Sequence, residues 1–147
     1  PSSALRRSVD EALLWGARLT AVSAVPIATG TSMMTWAPTG VDHSTLLRDV
    51  RKGIGIAIDK ALEGRELDVA RHALDGSPAS LLIEFSTAVD LVVVGSRGRG
   101  GFSGLLLGST SQGVLSHAAC PVMVVPARSR DEASSSERNS GTPWGRA

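Results

Sequence analysis

Two short runs of consecutive apolar residues constrain this fold more than any other feature of the sequence. Residues 91–94 read LVVV and residues 122–125 read VMVV. A strand with water on one face alternates apolar and polar side chains, so unbroken runs predict strands that are buried on both faces. Such strands are typical of parallel sheets with helices packed on both sides.

Helical periodicity alternates with strand-like segments along the chain. The pattern predicts helices near residues 2–16, 42–65, 78–85 and 109–118, and strands near 19–27, 67–74, 91–94 and 121–125. Ser77-Pro78 is the clearest helix start, because a capping serine precedes a proline at the first helical position. This order predicts an α/β fold with a doubly wound parallel sheet, in which ligands bind beyond the carboxyl ends of the strands.

A glycine-rich stretch follows the third predicted strand and ends where the last helix begins. It reads GSRGRGGFSGLLLGSTS over residues 95–111. Glycine destabilises regular structure, so its concentration here indicates a backbone that must approach something closely. Free N–H groups at a helix start favour phosphate, and Arg97 and Arg99 add positive charge. A plain connecting loop with solvated arginines is the alternative interpretation.

Composition limits the classes of partner. The chain has 147 residues, which suits one domain, and a formal net charge of +1, which gives no strong attraction to nucleic acid or anionic membranes. No apolar stretch approaches the roughly 20 residues that span a bilayer. With a single cysteine, Cys120, no internal disulfide can form, and we expect a cytoplasmic protein.

The two ends of the chain carry separate expectations. Residues 128–147 are rich in serine and charge and almost free of apolar side chains, so we expect a disordered tail after a domain that spans residues 1–127. Within that tail, Trp144 is either incidental or a docking residue. The sequence begins with Pro1 rather than methionine, so residues upstream could be absent.

Gly95-Ser-Arg-Gly98, nine further residues and then Gly108-Ser109 resemble the G-2x-G-9x-G-(S/T) nucleotide motif of the universal stress protein family. The surrounding DLVVVGSRGRGGFSGLLLGSTSQ and HAACPVMVVP are similar to the carboxy-terminal half of that family. The resemblance covers about residues 2–127. It implies a fold of the adenine nucleotide alpha hydrolase type, binding of ATP (with Mg²⁺ as a possible companion), and a role in stress response as a nucleotide-dependent switch.

The resemblance also implies roles for particular residues. Val25 matches a position that packs on adenine, and the loop and helix start would surround the phosphates through Gly95, Ser96, Arg97, Gly98, Arg99, Gly100, Gly101, Gly108, Ser109, Thr110 and Ser111. The resemblance implies no catalytic residue and, as an activity, at most slow hydrolysis of ATP. Many members form homodimers through the last strand, which here comprises Val122, Met123, Val124 and Val125.

One departure from the family pattern is large. Members begin with an apolar strand that ends in an aspartate and lies at the centre of a five-stranded sheet of order 3-2-1-4-5, whereas this sequence starts just after it. We therefore expect the first strand to be missing from this chain. Asp75 follows a strand at the corresponding end, but Asp75-Gly76 is more simply a turn.

Other functions remain open at this stage. The alternatives to an ATP-binding stress protein are a nucleotide-free dimeric interaction domain of the same fold and an adenylating enzyme, which would need an acidic cluster that the loop lacks. His117 and Cys120 have ligand-like spacing, but two ligands do not make a zinc site. Ser109 and Ser111 have no evident histidine base, which favours capping and phosphate contacts over nucleophilic catalysis.

Overall fold

Helices and strands alternate strictly through the part of the protein that the structure describes. The computed structural model describes residues 2–25, 42–97 and 107–126. The elements in chain order are α1 (Ser2–Trp15), β1 (Leu19–Val25), α2 (His43–Leu62), β2 (Val69–Asp75), α3 (Pro78–Phe85), β3 (Val92–Gly95), α4 (Ser109–His117) and β4 (Val122–Val125). Residues 26–41, most of the glycine-rich stretch and the tail predicted at 128–147 lie outside the described residues.

All strand pairing in the described residues is parallel, and it forms two sheets of two strands each. β1 pairs with β2 from Leu19 opposite Val69 to Val25 opposite Asp75. β3 pairs with β4 from Val92 opposite Val122 to Gly95 opposite Val125. The helices pack as pairs, α1 with α2 and α3 with α4, and each pair also contacts the strands. The predicted α/β class with parallel strands and flanking helices is therefore confirmed.

Local chemistry explains where α3 begins. The Ser77 side chain accepts a hydrogen bond from the Ser80 N–H at 3.1 Å, and Pro78 occupies the first helical turn. Just before this cap, Gly76 has φ +140°, a region that disfavours any side chain. The Gly76 N–H donates to the Val25 carbonyl at 3.0 Å, which fixes the turn against the end of β1.

Each strand pair has its own buried residues. Val92, Val94 and Val114 form a cluster in the β3–β4 half, and half-buried side chains from α3, β4 and Cys120 pack around it. In the other half, Ile58 of α2 is fully buried, and Val69 and Ala73 of β2 are also in the core. Val9 of α1 is fully buried as well, and α1 contacts both β1 and β3. Helix α1 therefore links the two halves.

Among the described residues, no helix combines the length and the apolar character that crossing a membrane requires. The longest of them, α2, has 20 residues and carries charged side chains along its length, including Arg48, Asp49 and Lys52.

Candidate functional site

The described ends of the glycine-rich loop are held together at the carboxyl edge of β3. The Ser96 carbonyl accepts a hydrogen bond from the Gly108 N–H at 2.7 Å, and the Ser96 N–H donates to the Val125 carbonyl at 2.8 Å. The first bond joins the two described ends of the loop to each other, and the second joins them to the end of β4. The Gly108 N–H is therefore already engaged, and of the described amides it is those at the start of α4 that are open to a ligand.

The first turn of α4 provides those amides. Gly108 is the N-cap of the helix and makes no side-chain cap. The N–H groups of Ser109, Thr110 and Ser111 belong to the first helical turn, which lacks intrahelical acceptors, and the helix dipole places partial positive charge there. Helix starts of this kind are suited to anions such as phosphate oxygens.

Ser111 anchors this helix start to β3. Its side chain is 3% exposed, and its hydroxyl donates to the Gly95 carbonyl at 2.5 Å. The hydroxyl therefore serves the protein itself, and the ligand-facing group that Ser111 can offer is its N–H. Ser109 and Thr110 remain more accessible, so their hydroxyls can reach a ligand.

Other residues of the expected site divide into three groups. Arg97 is exposed and lines the same cavity as Ser109 and Thr110. Gly98, Arg99, Gly100 and Gly101 lie outside the described residues. Val25, which the resemblance places against adenine, is 2% exposed and is not part of the cavity wall, whose β1 portion runs from Leu19 to Ala24.

A cavity of about 1280 Å³ extends from this helix start into the interior. Its wall includes Arg97 and residues 107–111 at one end, and residues of α1, α2, α3 and the strands β1 and β3 along its length. Asp49 of α2 contributes a carboxylate to the same wall. The cavity thus brings the expected phosphate-binding groups together with an internal space that sequence reasoning did not identify.

A polar pair at the neighbouring strand ends was also missed from the sequence. His43 Nε2 lies 3.1 Å from the Asp75 carboxylate, and both side chains are about half exposed. The two residues are 32 positions apart, so no local pattern signals the contact. Next to His43, the Ser44 hydroxyl donates to the Asp42 carboxylate and holds the pKa of Asp42 below its usual value.

In the described part of the chain, no three His, Cys, Asp or Glu side chains come together as a metal cluster. Cys120 is half-buried against the Val92 cluster, in keeping with a small packing side chain. The polar groups that the described residues contribute to the cavity wall are therefore helix amides, hydroxyls, one arginine and the Asp49 carboxylate.

Comparison with known proteins gives consistent results over most of the chain. A family model described as the universal stress protein family matches residues 1–126. A universal stress protein of Mycolicibacterium smegmatis is 49% identical over 63 residues, which are 43% of this chain and 21% of that protein. The matched stretch thus spans about a fifth of the relative's length.

Two solved structures share the fold. A universal stress protein in complex with cAMP superposes with a TM-score of 0.63 at 22% identity, covering 84% of this chain and 87% of that one. A universal stress protein from Archaeoglobus fulgidus in complex with dAMP gives a TM-score of 0.55 at 17% identity, covering 84% and 86%. At these identities the likeness concerns the architecture.

Proposed function

This chain belongs to the universal stress protein family, and from that membership and the geometry of the α4 terminus we propose that it binds ATP. The observation that carries the proposal is the first turn of α4, whose amides adjoin a cavity that Arg97 also lines. Helix amides bind phosphate oxygens by direct donation, and an arginine adds charge-assisted hydrogen bonds. The nucleotide complexes of the two structural neighbours support the same ligand class.

The proposed arrangement places the phosphates at Ser109 and Thr110 and the nucleoside toward the carboxyl ends of β1 and β3. A Mg²⁺ ion that accompanies ATP is usually held by one or two carboxylates together with the phosphates. Asp49 is the carboxylate that the described cavity wall offers for this purpose. In this role the protein is a cytoplasmic stress-response switch that changes state with its bound nucleotide.

The test of nucleotide binding is calorimetric titration with ATP, ADP and AMP. Because Arg97 is exposed, Arg97→Gln should weaken ATP binding by about three- to tenfold, and less at high salt. The matched control is Arg51→Gln, which removes the same charge from an exposed position of α2 outside the cavity wall. Equal losses of ATP affinity in both variants would mean that Arg97 acts only through the overall charge of the protein.

A second variant tests close approach of the ligand to the backbone. Gly108 has φ −73° and ψ 161°, which any residue adopts, so Gly108→Val adds a side chain without straining the turn. If phosphate lies against this backbone, ATP affinity should fall more than tenfold while the melting temperature is kept. Undiminished ATP binding in Gly108→Val would make the loop a connector, and a parent chain that binds no nucleotide would favour a nucleotide-free interaction domain.

We also propose that two copies of the chain pair through β4. The four β4 residues are half-buried in the single chain, and the described residues place no strand on the edge of β4 that faces away from β3. An apolar strand with an open edge is a template for pairing with a second chain.

Met123→Lys should abolish this pairing, because a charge would then face the apolar partner strand. Light scattering at micromolar concentration should show a dimer for the parent and a monomer for Met123→Lys. Ala70→Lys is the control, since it places the same charge on an exposed residue of β2. A parent that is monomeric throughout contradicts the proposal.

A further inference from the structure

Helix α2 and strand β2 form the outer edge of the β1–β2 half. β2 pairs with β1 on one side, and no strand among the described residues pairs with its other side. The start of α2 lies beside the end of β2, because His43 contacts Asp75. Further along α2, Gly55 adjoins Arg71 in the middle of the strand. The helix therefore runs along the strand in the opposite direction.

The part of this edge that includes the earlier turns of α2 is basic. A Cβ at Gly55 would lie 3.0 Å from the Arg71 guanidinium, so the arginine leaves the strand beside this glycine. Arg51 and Lys52 lie one turn before Gly55 on the same side of the helix. The cavity wall uses a different side of α2, which includes Gly53. All three cationic residues are exposed, and none makes an ion pair with another described residue.

The part of the edge that includes the last turns of α2 is acidic. Asp59 lies one turn after Gly55 on the same side of the helix, and Asp68 directly precedes the first residue of β2. Both aspartates are exposed, and neither carboxylate has an ion-pair partner among the described residues. Lys60 follows Asp59 in the sequence, but an α-helix turns by about 100° per residue, so the lysine points away from this edge.

Opposite charges in separate parts of one edge make that edge complementary to an inverted second copy. A two-fold axis that crosses the edge between Gly55 and Asp59 places Arg71 opposite the partner's Asp59 and Lys52 opposite the partner's Asp68. The same axis sets the two β2 strands antiparallel, a direction in which two strand edges can exchange hydrogen bonds. A contact of this isologous kind closes on itself in a dimer.

Charged side chains on an open strand edge also have a simpler role, because they discourage pairing with other chains. Charges of a single sign serve that role, since they repel a second copy in either orientation. Here the two signs are separated along the edge, and complementary charge attracts a partner and fixes its orientation. The distribution of charge therefore favours a contact surface over a guarded edge.

We propose that the outer edge formed by α2 and β2 is an interaction surface for a second copy of this chain, separate from the pairing proposed for β4. Exposed ion pairs contribute little each, and small polar interfaces are weak. The contact therefore forms well above the micromolar concentrations at which pairing through β4 is measured. Where both surfaces are used, dimers join into larger assemblies.

The test is analytical sedimentation of the Met123→Lys chain up to about 1 mM at low salt, because this variant removes the proposed β4 pairing. We expect dimerisation with a dissociation constant of about 0.1–1 mM, weakened at high salt. Adding Arg71→Glu or Asp59→Arg should weaken dimerisation at least about tenfold, because like charges then meet across the axis. Both substitutions together should restore it, because the exchanged charges again face each other.

Lys60→Glu is the matched control, since it reverses a charge on the same helix that points away from the edge. It should leave dimerisation unchanged. Thermal melting at micromolar concentration checks that each variant is folded as a monomer. Should Arg71→Glu fail to fold, Lys52→Glu combined with Asp68→Lys provides the same exchange of charge.

Three results would overturn the proposed surface. They are a Met123→Lys chain that stays monomeric up to about 1 mM, a loss of dimerisation in Lys60→Glu as large as in Arg71→Glu, and a double variant that associates no better than its single variants. The first result would leave the charges as guards of an open strand edge. Dimerisation without any ATP binding would support this surface and reject the proposed function, because the two measurements are independent.

Discussion

The two strand pairs differ in length, in composition and in what they contribute to the site. β1 and β2 pair over seven positions and include polar residues such as Ser23 and Arg71. β3 and β4 pair over four positions, and their residues are apolar up to Gly95. The longer pair is covered by the 20-residue α2, whereas the shorter pair lies beside two short helices, one of which begins at the proposed phosphate site.

The β3–β4 half carries the candidate phosphate-binding groups, and the β1–β2 half provides the opposite wall of the cavity. Each pair contributes one strand to the wall of the same cavity, and no strand joins β1 to β3 among the described residues. Helix α1 is the main contact that spans both halves. We therefore expect the two halves to respond separately to mutations of their own cores.

The largest expected effect comes from truncating one fully buried side chain in the core of each half in turn. Ile58 and Val114 are both fully buried, in the β1–β2 and β3–β4 halves respectively. Ile58→Ala should cost about 2–5 kcal/mol, and Val114→Ala somewhat less because fewer methyl groups are removed. Hydrogen exchange should quicken mainly in β1 and β2 for Ile58→Ala and mainly in β3 and β4 for Val114→Ala.

The control for this pair of variants is Ile56→Ala, which shortens a side chain on α2 that is 62% exposed. It should change stability by less than about 1 kcal/mol, because surface substitutions leave no cavity. If Ile58→Ala and Val114→Ala accelerate exchange equally in all four strands, the protein unfolds as one unit. The separation into two halves would then be wrong.

Sequence reasoning was most successful where a local rule sets the structure. The Ser77-Pro78 start of α3 was predicted correctly because the Ser77 cap depends on adjacent residues. The start of α4 at Ser109 was also predicted correctly, from the glycine-rich stretch that ends there. Strand ends were less accurate, and β2 begins at Val69 rather than at residue 67. Strand boundaries depend on pairing with β1, which lies far away in sequence.

Glycines show why local propensity fails in other places. Gly53 and Gly55 have low intrinsic helix propensity, yet α2 continues through both. Gly55 is buried, and a Cβ there would lie 3.0 Å from the Arg71 guanidinium, so the glycine makes room for a side chain of β2. Arg71 lies 16 positions from Gly55 in the sequence, so a scale of intrinsic helix propensity cannot account for this contact.

The sequence predicted which described residues lie near one another at the candidate site, but not how they are bonded. A glycine-rich loop before a helix start indicates phosphate binding, and the structure places Arg97, Gly108, Ser109, Thr110 and Ser111 on one cavity. The sequence did not indicate that the Gly108 N–H is taken by Ser96 or that Val25 is buried away from the cavity. Both facts depend on how the ends of β1, β3 and β4 meet.

A smaller effect is expected from the anchor between β3 and α4. Ser111→Ala removes the buried hydrogen bond to the Gly95 carbonyl and should cost about 1–3 kcal/mol. Because this bond positions the first turn of α4, ATP affinity should fall as well. Thermal melting and ATP titration measure the two effects in the same protein.

Ser116→Ala is the matched control for this anchor. Ser116 lies on the same helix, is exposed, and its hydroxyl donates only to the Gln112 carbonyl one turn earlier. Its loss should leave both stability and ATP affinity nearly unchanged. If Ser111→Ala also leaves ATP affinity unchanged while lowering stability, the position of the α4 terminus is not set by this bond.

The smallest expected effect tests whether an ion pair helps to fix α1 against α2. Arg65 donates to Asp10 of α1 at 2.6 Å and to the Leu62 and Ala61 carbonyls at the end of α2. The Arg65 and Asp10 side chains are 37% and 43% exposed, and partly solvated pairs contribute little. Asp10→Asn should therefore lower the free energy of unfolding by less than about 1 kcal/mol, and less at high salt.

Val9→Ala, at the adjacent and fully buried position, should cost about 2 kcal/mol because it removes two buried methyl groups. A larger loss for Asp10→Asn than for Val9→Ala in urea denaturation would mean that charge, rather than burial, fixes α1 against α2.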